Sequence, residues 1–92
     1  MASAAELMAR IQTGDAQALT SLIEECEGVL RRHVARYVPP ADADDLLQDL
    51  WLRVWQRAGQ WDGRGRPLAW LLAIATNLAL NHLRSSRDVV PL

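Results

Sequence analysis

The sequence predicts an all-α protein, a compact bundle of about four helices. Apolar residues recur at three- and four-residue spacing through most of its 92 positions. The breaks in that pattern fall at strong punctuation: Gly14-Asp15, Pro39-Pro40 and the glycine- and arginine-bearing stretch Gly59–Arg66. No segment reads convincingly as a strand.

The first helix is expected over Ala4–Thr13, with Leu7, Met8 and Ile11 on one face. Gly14 ends it and Asp15 is placed to cap the next helix. That second helix is expected over Ala16–Val38, with Leu19, Leu22, Ile23, Cys26, Leu30, Val34, Tyr37 and Val38 inward, until Pro39-Pro40 stops it. Asp42 is expected to cap the third, with Asp44 and Asp45 in a first turn whose dipole favours carboxylates. Its apolar stripe is Leu46, Leu47, Leu50, Trp51, Val54, Trp55 and Ala58. The fourth opens at Pro67, a position that needs no amide donor, and runs to Arg84. Leu68, Leu71, Leu72, Ala75, Leu78, Ala79 and Leu83 form its buried stripe. Short connections between such helices imply a compact helical bundle.

Composition narrows the class. A chain of this length makes one domain that buries roughly 60–65% of its unfolded surface. Half of its residues are apolar and 23% charged, which excludes a disordered chain. The single cysteine, Cys26, has no partner for an internal disulfide, so a cytoplasmic location and a buried, unreactive thiol are expected. No apolar run has membrane length, and the first residues lack the pattern of a signal peptide. Residues 1–87 are read as one domain and Asp88–Leu92 as the start of a linker. All ten basic residues are arginine, the side chain suited to forked contacts with phosphate. Net charge is −1, but residues 1–50 hold nine acids against four arginines while residues 51–92 hold two against six. That split points either to two partners of opposite character or to charges scattered over solvated faces.

Three segments carry the candidate chemistry. Asp45, Gln48, Asp49, Leu52 and Arg53 fall opposite the third helix's core stripe, where they form either a solvated face or a seat for a basic partner helix. The loop Gly63-Arg64-Gly65-Arg66 is too short, and lacks the lysine, for a nucleotide-cradling loop. It suits a phosphate backbone or a splayed base, or is a plain surface turn. Asn77, Asn81 and Arg84 share one side of the fourth helix, where amides can read base edges. Trp51, Trp55 and Trp70 are expected in the core; Trp61 either plugs the end of the bundle or stacks on an unpaired base. His33 and His82 lack companion ligands and are read as surface or packing residues, with no metal or other cofactor expected. Nothing arranges a nucleophile with its base, so no enzymatic activity is expected.

Taken in order, these segments resemble region 2 of the extracytoplasmic-function (ECF) group of bacterial sigma factors. The resemblance rests on Asp45-Leu46-Leu47-Gln48-Asp49, Trp70-Leu71 and Ile74-Ala75-Thr76-Asn77. Gly14-Asp15 with Ala18-Leu19, and Arg36-Tyr37-Val38-Pro39, extend it over almost the whole chain. It implies that Asp45, Leu46, Gln48, Asp49, Leu52 and Arg53 dock on the β′ clamp coiled coil of RNA polymerase. Trp61, Arg64 and Arg66 would trap the melted nontemplate strand, including a flipped base, and Asn77, Asn81 and Arg84 would face the promoter minus-ten DNA. An anti-sigma factor is a further implied partner, and the isolated domain is expected to be monomeric. The sequence departs from the family at Ala73, where many members carry arginine, at Leu80, basic in some, and at Trp61, usually phenylalanine. The helix-turn-helix domain that follows region 2 in the family is not represented, so a region-2 piece or a single-domain protein is expected. The rival reading is a sigma mimic that sequesters an anti-sigma factor without opening DNA.

Overall fold

The computed structural model describes residues 2–88 of the chain, and side chains as far as residue 85. The elements are α1 (Ala4–Gln12), α2 (Ala16–Val34), α3 (Pro40–Arg57), a single 3-10 turn (Ala58–Gln60) and α4 (Pro67–Asp88). No strand occurs among the described residues, as the spacing predicts.

Capping explains where the first helices begin. The Ser3 hydroxyl accepts the Glu6 amide at 3.2 Å, satisfying one of the donors that a helix start leaves open. Asp15 does the same for α2, accepting from the Gln17 and Ala18 amides at 3.0 and 3.2 Å. Those amides, Ala18 foremost, and the Arg10 guanidinium at 2.9 Å hold its carboxyl below the ordinary value.

Two boundaries differ from expectation at the paired prolines. The second helix ends at Val34 rather than Val38, and the chain leaves it through a turn in which the Tyr37 amide donates to Val34 O at 2.9 Å. Pro39 crowds the residue before it out of helical geometry, and Val38 still tucks into the core. Asp42 does not cap α3. Pro39 holds the cap position in extended geometry with no side-chain bond, and its carbonyl accepts the Asp42 and Ala43 amides at 3.0 and 3.1 Å. Pro40 fills the first helical position, where a missing amide costs nothing. Asp42 therefore lies inside the first turn, free to reach α4. Asp88, expected as the first linker residue, is the last residue of α4; residues 89–92 of that expected linker lie outside the described residues.

The core runs down the middle of all four helices. Met8, Leu22, Leu30, Val34, Leu50, Val54 and Leu71 are fully buried, and Cys26 lies beside them with its thiol pushed up in pKa by that burial. Trp51 joins the core, but Trp55 does not: it is 39% exposed. At 100° per residue, Trp55 sits a quarter-turn past Val54, at the margin of the buried arc, whereas Trp51 lies within it. Trp70, Leu68, Leu72 and Leu83 are half-buried.

Polar braces set the helices in register. Arg31 on α2 pairs with Asp44 on α3 at 2.7 Å. His33 Nε2 on α2 meets Thr76 Oγ1 on α4 at 2.7 Å, and His82 on α4 meets Asp42 on α3 at 3.2 Å. Both histidines are packing residues, as expected. At the bundle end the Gln12 amide donates to the carbonyls of Ala58 (2.8 Å) and Trp61 (3.1 Å), tying α1 to the start of the loop before α4.

Candidate functional site

Two neighbouring faces collect the predicted residues. The first is the outer side of α3. Asp45 and Gln48 are exposed on it, and Leu52 is 54% exposed, an unusual position for a large aliphatic side chain on an otherwise charged helix. Asp49 is half-buried and accepts from Arg53 one turn on, at 3.3 Å. Leu46 departs from the predicted set: it is only 8% exposed and packs into the core, so it supports the face from beneath. Trp55, expected in the core, is exposed, and Leu19 is half-buried at the edge of the core. With Leu52, Trp51 and Ala16 they line an apolar hollow of about 380 Å³ where α3 meets the start of α2. Their helical-wheel angles, at the edge of each stripe, are the sequence signal that identifies them.

The second face is built from the loop and α4. Gly63 (φ 80°) and Gly65 (φ 70°) take left-handed conformations that side chains disfavour, and the Asp62 carboxylate accepts the Arg64 amide at 2.9 Å. This folding turns Arg64 and Arg66 out to solvent on either side of Gly65. Beneath them Trp61 is buried, plugging the bundle end, with an indole N–H that has no partner among the described residues. Its margin still reaches a hollow of about 260 Å³ shared with Arg64, Gly65, Arg66 and Trp70. Plug and hollow wall coexist in one side chain.

A smaller hollow of about 110 Å³ runs along the seam between α3 and α4. Arg53 and Arg57 line it from α3, and Trp70, Asn77 and Asn81 from α4. The structure therefore moves Arg53 from the first face toward the second, where the arginine stands beside both asparagines. Arg57 and Trp70 are functional candidates that the sequence reading passed over; Arg57 lies one turn beyond Arg53. Arg84 donates to the Asn81 side-chain oxygen, which fixes the amide and leaves its NH₂ group as the outward donor. Arg57, Arg64 and Arg66 form no ion pair among the described residues, so their charge is available to a ligand.

No group of metal-ligating side chains occurs among the described residues, and no described helix is long and apolar enough to cross a membrane. An acid- and leucine-bearing helix next to an arginine- and amide-bearing groove gives this all-α domain two chemically distinct faces. Residues 22–89 match the Sigma-70 region 2 family, and the chain belongs to it, as a region 2 domain of the ECF type. It is 37% identical over 84 residues to the ECF RNA polymerase sigma factor BldN of Streptomyces coelicolor, an alignment covering 89% of this chain and 32% of BldN. It is 31% identical over 77 residues to the ECF RNA polymerase sigma-E factor of Escherichia coli K12, covering 84% of this chain and 40% of that factor. The chain thus spans about a third to two-fifths of these relatives. Its fold matches the NMR structure of an engineered region 2 of sigmaE in complex with GTAAAA, with a TM-score of 0.91, 27% identity and coverage of 99% of this chain and 96% of that one.

Proposed function

We propose that this domain docks on the β′ clamp coiled coil of RNA polymerase through the outer face of α3, and recognises and melts the promoter minus-ten element with its loop and α4. The observation that carries this reading is the segregation of chemistry. Carboxylates, Gln48 and an exposed leucine share one face, while unpaired arginines and two amides share the next, and only Arg53 borders both. A basic helix finds charge complement and an apolar anchor on the first. A nucleic-acid strand finds phosphate partners and base-edge readers on the second.

Melting fits the loop. Extruding a base costs a few kcal/mol, which contacts in a pocket must offset. The hollow bounded by Trp61, Arg64, Arg66 and Trp70 offers an aromatic edge and two cations for that purpose. The relative bound to GTAAAA shares this fold over nearly its whole length, which supports the same binding mode.

Binding to a purified clamp coiled coil tests the docking half, with Gln48→Ala and Asp49→Arg as variants that abolish it. Binding to a labelled GTAAAA oligonucleotide against a scrambled one tests the DNA half, and Asn77→Ala should erase the preference. A second reading, a sigma mimic that captures an anti-sigma factor, draws on the outward ridge of α4. Ala73 and Leu80 lie exposed there with no charge. Well-folded protein that binds neither clamp nor oligonucleotide would sink the first reading and leave the mimic as the better one.

A further inference from the structure

We propose that Arg32 at the end of α2 and Arg36 in the turn that follows it, with His33 between them in sequence, form a second phosphate-binding edge for DNA lying across α4; the inference rests on the DNA reading above. Six of the nine arginines with described side chains form no ion pair among the described residues. Arg57, Arg64, Arg66 and Arg84 belong to the face already described. The remaining two are Arg32 and Arg36, four residues apart across the end of α2 and both exposed. Their neighbour Arg31 makes the contrast: it is doubly paired, with Asp44 at 2.7 Å and Glu27 at 3.2 Å.

Placement gives the pair its meaning. With Val29 and His33 they line a hollow of about 270 Å³ whose far wall is Leu72 of α4. Leu72 lies on the opposite flank of α4 from Ile74, Asn77 and Asn81, which line the seam with α3. Helix α4 is thus bracketed by two arginine pairs, Arg53 and Arg57 on one side and Arg32 and Arg36 on the other. Between them its outward ridge, Ala69, Ala73 and Leu80, is exposed and uncharged up to Arg84. Backbone phosphates passing over that ridge find their counter-charges on its flanks.

The register is held by a specific brace. Thr76 Oγ1 donates its only proton to the Leu72 carbonyl at 2.9 Å, so it accepts from His33, and the His33 Nε2 carries hydrogen. This contact pins the arginine-bearing turn of α2 against α4 and leaves Nδ1 of His33 facing away from the brace. Arg32, His33 and Arg36 line the same hollow.

The test compares wild type with Arg32→Ala/Arg36→Ala and Arg32→Lys/Arg36→Lys, using the GTAAAA oligonucleotide extended by flanking sequence on both sides so that it spans α4. Affinity is measured over a range of salt concentrations, beside a scrambled strand. Each lost single-strand phosphate contact should flatten the slope of log K against log salt by about 0.7, so the alanine pair should flatten it by about 1.4. Preference for GTAAAA should be unchanged, the lysine pair should keep the wild-type slope, and the thermal midpoint should stay constant because neither arginine bonds within the described fold. A slope unchanged in the alanine pair, with wild type still discriminating GTAAAA, overturns the inference alone and leaves the DNA reading standing. Failure of wild type to bind any DNA overturns the DNA reading and this inference together.

Discussion

The outer face of α3 and the groove beside α4 differ less in composition than in what their charges are doing. On α3 and the adjoining flank of α2, arginines are spent internally: Arg53 on Asp49, Arg31 on Asp44 and Glu27. What such a face leaves exposed is carboxylate, amide and the apolar pair Leu52 and Trp55. Around α4, six arginines lack acidic partners among the described residues, and the exposed groups of α4 between them are uncharged: alanines, Leu80 and two asparagine amides. Self-neutralised charge with exposed apolar surface favours a protein partner, whose affinity comes from desolvated contacts. Unpaired cations favour a polyanion, whose affinity comes from releasing counterions. The two interfaces should therefore respond in opposite ways to salt and to apolar truncation.

The largest effect should come from the core that supports both faces. Leu71 is fully buried, and Leu71→Ala should cost about 2–5 kcal/mol of stability, measured by urea unfolding, weakening both activities together. Against a total of roughly 5–15 kcal/mol for a small domain, that loss is severe. Next in size, Leu52→Asp should weaken clamp binding by about tenfold or more, measured by calorimetry, and leave oligonucleotide affinity unchanged. Equal losses in both assays would break the separation of faces. Arg57→Ala should do the reverse, lowering oligonucleotide affinity a few-fold and flattening its salt slope by about 0.7 while sparing the clamp.

The smallest expected effect probes the fold beneath both. Asp15 has a folded pKa below its ordinary value of 3.8, chiefly through its bond from the Ala18 amide and then Arg10. Its stabilising contribution is full above that ordinary value and is lost as pH falls through the folded one. Thermal midpoints should show Asp15→Asn converging on wild type in strong acid and lying below it near neutrality. A constant gap at every pH would remove the carboxylate charge from the account.

Much of the fold was legible because helical periodicity is a local property. Leu7, Met8 and Ile11, or Leu71, Ala75 and Leu78, announce a buried face by spacing alone, and they are buried. The misses have physical causes. Val38 lies in helical register, yet proline at the next position overrides apolar spacing. Asp42 has the chemistry of a cap, yet Pro39 carbonyl and Pro40 already start the helix. Trp55 stands at a stripe margin, where a periodic pattern cannot say which neighbour covers it, and Leu46 is buried as its place in the stripe predicts. Trp61 was readable as an aromatic in a glycine-rich loop, but its burial depends on Gln12, 49 residues away, which holds its carbonyl.

By itself the sequence determined the helical class, the breaks between helices, the family motifs and the supply of arginine without lysine. Each follows from neighbours within a turn or two. Charge along the chain divides at its middle, acidic before and basic after. Only the tertiary structure decided which charges face which partner, because salt bridges and packing act between residues distant in sequence. It tied Arg31 to Asp44 and left Arg32 free, carried Arg53 into the groove beside Asn77, and set two arginines of the acidic half alongside α4. A boundary in sequence became a different boundary in space.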